Sequence, residues 1–257
     1  MKNILILFVL SLLLWNCGRR EFVKNPVDQL ILEMDKVKNF TIILYDMDIE
    51  GTFSETYKHR YKIITHEDTS SIPKETITDW MVVDEEFFDL HSNDLGMEIA
   101  SKKNGVVSKH VAPPGYSHYV GNSQYGTWRT NPDGTSFWEF YGQYAFLSNM
   151  IGLIAGPVYR HHYHDYHDYR SRGMPYYGST PSGTPMYGTH SEVATRQNPN
   201  SKLASSNSFK SKIQSRVARS SGSSSTSGVR SSPSTTTRST PRSGTSTRSR
   251  SSSRGGK

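Results

Sequence analysis

The sequence predicts an α+β domain, a single small body with a mostly antiparallel sheet and one or two packing helices, followed by a disordered C-terminal tail. Three observations carry this. Short runs of β-branched and aromatic residues are joined by connections too short to hold a parallel crossover. Ahead of them, one segment repeats its apolar residues at helical spacing. From about Gln197 onward, large apolar residues almost vanish, so that stretch cannot offset its own chain entropy by burial.

The elements follow in order. Asn25-Pro26 opens a helix, since Asn caps and Pro fits the first turn. Val27, Leu30, Ile31, Met34 and Val37 then set a helical stripe, predicting a helix from Pro26 to Val37. Phe40 to Ile49 reads as a strand, and Thr56 to Thr65 as its antiparallel partner. Thr78 to Val83 reads as a third strand and Glu85 to Leu90 as a helical turn. Two hairpin-like pairs come next. One flanks Asn104-Gly105, a tight-turn dipeptide; the other flanks Asn131-Pro132-Asp133-Gly134, whose Pro and Gly suit a β-turn. Phe137 to Gly156 is strongly apolar with one charge, Glu139. It is expected to finish a strand and then, from about Gly142, to form a helix closing the core.

The expected organisation is residues 1–16 as a signal segment, 17–24 as a tether and 25–156 as the α+β domain. A Tyr/His/Gly/Pro-rich linker spans 157–199 and a basic Ser/Arg/Thr-rich tail 200–257. Within the tail, Phe209, Ile213 and Val217 fall four residues apart beside Lys210, Lys212 and Arg216. That pattern predicts a short basic amphipathic helix for a membrane or partner.

Charge is distributed unevenly. From Val193 onward there are thirteen Lys and Arg and no acid; residues 1–192 hold seventeen basic residues against twenty-three acidic ones. The net charge of +7 therefore joins a mildly acidic body to a strongly basic tail. Such a tail seeks an anionic surface, and its binding there is electrostatic and weakened by salt.

The densest chemistry lies at His161, His162, His164, Asp165, His167 and Asp168. Imidazoles and carboxylates in this density are suitable ligands for Zn or Cu. In a helix, His161, His164, Asp165 and Asp168 share one face; in an extended chain, His162, His164 and Asp168 alternate to one side. A second, smaller candidate is the Asp46/Asp48 pair, which a strand places on one face as a cation site. His59, His66, His91, His110 and His118 are scattered through the body, and spacing selects no catalytic set among them. There is no nucleophile elbow, P-loop or dinucleotide fingerprint, so an enzymatic role, such as an envelope hydrolase, ranks below a binding or structural one.

Cys17 is the sole cysteine and follows an apolar run, Ile4 to Trp15, after a charged start at Lys2. This resembles the signal and acylation site of bacterial lipoproteins. The resemblance covers the first 17 residues and implies lipidation of Cys17, for example with palmitate, and attachment to the cell envelope by acyl chains. Gly18, with no Asp after the cysteine, implies the outer membrane over the inner one. Under this reading the partners are the membrane itself and, through the basic tail, anionic lipid, lipopolysaccharide or an acidic wall polymer. Nucleic acid is disfavoured, because an exported tail does not meet it.

Overall fold

The computed structural model describes residues 25–51, 54–66, 73–150 and 156–223. It is an α+β fold around a six-stranded, wholly antiparallel sheet. The strands are β1 (Asn39–Glu50), β2 (Thr56–His66), β3 (Lys74–Ile77), β4 (Met81–Val83), β5 (Glu98–Lys103) and β6 (Val106–Ser108). Their order is β3-β2-β1-β5-β6, and β4 also pairs with β2. A separate hairpin joins β7 (Gly126–Thr130) to β8 (Ser136–Phe140).

The first helix, α1 (Pro26–Glu33), is capped as expected: the Asn25 side chain accepts the Val27 N–H at 2.9 Å. It ends short of Val37, whose N–H turns back to the Met34 carbonyl to lead the chain into β1. Of the expected third strand, Thr78 to Val83, only Met81–Val83 is strand, and β3 (Lys74–Ile77) precedes it where none was expected. Thr78 takes the Tyr61 N–H on its hydroxyl at 3.0 Å, which interrupts the ladder between β3 and β4. Both strands pair with β2. Helix α2 spans Glu85–Leu90, with Asp84 as its cap.

β1 is covered on both faces. Phe40, Ile42 and Leu44 enter an aliphatic cluster with Val27 and Leu30 of α1 and Phe88 of α2. Ile43 points the other way, into a second cluster with Ile64, Tyr119, Tyr125 and Leu147. A bulge lies between Leu44 and Asp46. Such an extra residue reverses the alternation, and Met47 accordingly joins the same cluster as Leu44.

The chain beyond Gly156 departs from expectation. Residues 157–199 do not form a linker. Trp138 N–H donates to the Val158 carbonyl at 2.8 Å, then α4 runs from Arg160 to Ser171, and Tyr176 and Tyr187 are buried further on. The physical reason is the tyrosines. The stretch Tyr159 to Tyr169 lacks aliphatic residues, but each aromatic ring buries roughly 150–250 Å². Tyr116, Tyr166, Tyr176, Tyr187 and Trp138 build a core of their own beneath α4. Gly121, at φ 75°, leaves room for the Tyr163 ring, which a Cβ there would strike at 2.5 Å.

The folded body likewise extends into the expected tail. Helices α5 (Glu192–Gln197), α6 (Lys202–Ser205) and α7 (Asn207–Ser223) follow. Phe209, Ile213 and Val217 of α7 are buried in the aliphatic cluster. The amphipathic helix read from the sequence therefore exists, but its apolar face is taken by the chain's own core and not by a membrane or partner. After β8 come a short 3-10 turn (Gly142–Tyr144) and α3 (Leu147–Met150). Residues 151–155, the rest of the apolar segment, lie outside the described residues, as do Cys17 and the tail from Ser224. Among the described residues no helix is long and apolar enough to cross a membrane.

Candidate functional site

Helix α4 carries the six metal-ligand candidates, and its twist decides what they do. Tyr166 faces inward at 1% exposure, with Tyr163 one turn before it against the same cluster. His161, His164, Asp165 and Asp168 share the exposed face, as the helical reading expected. The other two turn aside. The His167 ring sits edge-on to Tyr163 at 4.5 Å, and His162 has its Nδ1 buried without a hydrogen-bond partner. Burial lowers the pKa of both His162 and His167. Among the described residues, no three His, Cys, Asp or Glu side chains converge as a ligand set. Sharing a helix face does not bring side chains to one point, and among the described residues no second element supplies a ligand opposite them.

What α4 does line is a groove of about 560 Å³. His161, His162, Asp165 and Tyr169 of α4 line it together with Tyr176 and Tyr177 from the following segment. Tyr177 is fixed from behind, because its hydroxyl donates to Asp94 Oδ1 at 2.6 Å. Asp94 in turn meets His91 Nδ1 through its other oxygen at 2.7 Å. Sequence spacing alone had left His91 unassigned; the pair rests on the three-residue separation at the end of α2.

The Asp46/Asp48 pair is taken by the protein itself. Asp46 accepts the Met47 N–H and the Lys202 N–H, and Asp48 pairs with Lys202 Nζ at 3.2 Å. Burial pushes the Asp46 carboxyl up to about 6. Ser201 caps α6, and the two carboxylates hold Lys202, its first residue, on the sheet, so the expected cation site is filled by a lysine.

Glu98 escaped sequence reasoning altogether. On β5 it alternates with the core residues Met97 and Ile99, which normally means an outward side chain. Here the second face of the sheet is covered too, and Glu98 is 0% exposed. Its Oε1 accepts the Gly115 N–H. Desolvation pushes its carboxyl up to about 7, against the opposing pull of Ser117, Gly115 and Arg170. Within α4, Arg170 donates to the Tyr166 hydroxyl at 2.6 Å, and its positive charge is felt by this buried acid.

The strongest charge cluster docks α7. Arg216, whose side chain is 7% exposed, lies 2.7 Å from Asp89, 3.2 Å from Glu85 and 3.0 Å from Glu55. It also donates to the Tyr57 hydroxyl at 2.9 Å and stands over that ring at 4.9 Å. Lys212 pairs with Glu55 as well. The Lys212 and Tyr57 hydrogen bonds, in that order, hold the Glu55 carboxyl down to about 2. Basic residues expected to meet a partner are thus spent inside the molecule. The net charge of +7 equals that of residues 224–257, which carry six Arg and one Lys and no acid; residues 1–223 are neutral overall.

Comparison with protein-family models, with curated proteins and with solved structures yields no match.

Proposed function

We propose that the protein is an acyl-anchored lipoprotein of the bacterial cell envelope with a binding or structural role, its basic C-terminal tail contacting an anionic surface. The observation that carries this is the lone Cys17 immediately after the apolar run Ile4 to Trp15. Two features support it. The first described element opens at Asn25, eight residues after the cysteine, so a short tether would hold the body close to the membrane. The positive charge of residues 224–257 follows directly on a helix locked to the body, so it would be presented from a fixed exit. An anionic lipid, lipopolysaccharide phosphate or acidic wall polymer on the outer membrane side of the envelope suits such a tail.

The test is the intact mass of the protein from the membrane fraction beside a Cys17→Ala variant. A mature chain beginning at Cys17 with added acyl mass, lost in the variant, is expected. A full-length or unacylated chain would sink the proposal. For the tail, truncation after Ser223 leaves α7 in place and is expected to abolish salt-sensitive binding to anionic vesicles. Unchanged binding would remove the tail from the proposal.

A further inference from the structure

A small recess of about 100 Å³ sits where the β5–β6 turn meets the start of β1 and the end of β2. Asn104 and Gly105 make that turn with φ of 51° and 84°, the left-handed pair that tight hairpins require. The turn is tied to the neighbouring chain at two points. Gly105 N–H donates to the Lys38 carbonyl at 3.0 Å, and Asn104 N–H donates to Asn39 Oδ1 at 2.8 Å. These bonds fix Lys103 and Asn104 at the rim.

The lining is one-sided in its chemistry. None of its described residues is acidic; it contains Lys103, two histidines, and the amides of Asn39, Asn104, Asn122 and Gln124. The acceptors among these are largely occupied. Asn39 Oδ1 is used by Asn104 N–H, and Asn122 Oδ1 by Gln124 N–H at 3.1 Å. Because a backbone N–H fixes which atom is oxygen, Asn39 is left with its NH₂ as the unspent group. Tyr119 lines the same recess at 2% exposure, and among the described residues its hydroxyl has no hydrogen-bond partner. His118, behind it, donates Nε2–H to the Phe40 carbonyl at 3.1 Å. Burial first, and the nearby Lys103 charge second, push His118 down to about 4. Lys103, the Asn39 NH₂ and the Tyr119 hydroxyl are thus the unspent donors of the lining, and Lys103 supplies its positive charge; no described lining residue is acidic, while the buried Glu98 lies within electrostatic reach of Tyr119.

We infer that this recess is a binding site for a tetrahedral oxyanion of phosphate or sulfate size, held by Lys103, Asn39 and the Tyr119 hydroxyl. Donors converging without an acceptor are what such an ion requires, and charge-assisted bonds from Lys supply most of the affinity. The same chemistry occurs as free phosphate and as the phosphomonoester of a lipid headgroup.

The experiment uses the full chain and the form truncated after Ser223, each with and without Lys103→Met. Inorganic phosphate is titrated by heteronuclear NMR or calorimetry, and flotation is measured with phosphatidate against phosphatidylcholine vesicles. Saturable phosphate binding that survives truncation and weakens about tenfold or more in Lys103→Met is the expected result and identifies the free ion. Lys103-dependent binding to phosphatidate vesicles alone, again surviving truncation, identifies the headgroup. Lys103 is exposed, so this variant leaves the core intact. Tyr119→Phe keeps the buried ring and is expected to weaken binding severalfold. Binding that is absent, that vanishes with the tail, or that ignores Lys103→Met overturns the site.

Discussion

Two of the three buried clusters of this molecule do the same job with different chemistry. Beneath α1, α2 and α7 the sheet packs mainly on aliphatic side chains: Ile42, Leu44, Met47, Leu203 and Ile213 are all buried there. Beneath α4 the packing is tyrosine and tryptophan, with rings meeting edge-on, as Tyr116 does with Tyr166 at 5.3 Å and 87°. The aliphatic residues carry no polar obligations. The tyrosines do: the Tyr116 and Tyr187 hydroxyls meet at 3.0 Å, Tyr166 takes a bond from Arg170, and Tyr177 gives one to Asp94. An aromatic core of this kind fills space and also fixes orientation, because each hydroxyl needs its partner in place.

The comparison breaks most sharply at Tyr166. Tyr166→Ala opens a cavity under α4 and removes a hydroxyl bonded to Arg170, so it is expected to cost about 4 kcal/mol in denaturant melts. Protection of α4 amides in hydrogen exchange should fall with it. If α4 stays protected, the aromatic cluster is not what holds it.

Glu98 and His59 should respond oppositely to pH, while Asp46, raised to about 6 on the aliphatic side, acts in the same sense as Glu98. Glu98 sits in the aromatic half with its folded pKa raised to about 7. The folded state therefore binds the proton more tightly than the unfolded one, and stability falls as pH rises from about 4.5 to about 7. The linked amount is on the order of 3 kcal/mol, and Glu98→Gln should flatten that decline. His59, buried against Phe88 in the aliphatic half, is held down to about 3, first by burial and then by His91. Its contribution is complete above about 6.5 and is lost as pH falls toward 3; His118 adds to the same acid side. Stability of wild type, Glu98→Gln and His59→Phe measured across pH 4 to 8 checks both signs. A decline that persists unchanged in Glu98→Gln would refute the assignment.

The smallest effect is a control on the aliphatic side. Ile213 is 0% exposed, and Ile213→Val should cost about 1 kcal/mol with no change in the pH profile. A much larger loss would mean that α7 holds more of the fold than its packing indicates.

The same contrast explains what was legible in the sequence. β1, β2, the two hairpins and the capped first helix were readable, because alternation, turn dipeptides and an Asn-Pro cap act locally. The antiparallel arrangement followed from connection length. The aromatic half was not readable, since a stretch like Tyr159 to Tyr169 shows polarity in every neighbour and its burial depends on Tyr116, Trp138 and Tyr187 arriving from elsewhere. Glu98 was hidden for a related reason: strand alternation says which side a residue faces, and only the tertiary fold says that this side is covered too. Four of the six α4 candidates, His161, His164, Asp165 and Asp168, share the face that the helical reading gave them, but convergence on one point is a three-dimensional property that spacing does not encode. For α7 the amphipathic pattern was right and its destination was not, because Glu55, Glu85 and Asp89 come from separate segments.

The bulge in β1 keeps Leu44 and Met47 on the face where α1 and α7 both pack, and this has a mechanical consequence. A pull applied between residue 25 and residue 223 enters through one of these helices and leaves through the other. Both are seated in the same aliphatic cluster, so the load crosses that cluster in series, while the aromatic half hangs outside the force path. Under tension the body would yield first where Arg216 clasps α7, and the tyrosine-rich half would stay folded until the clasp had opened.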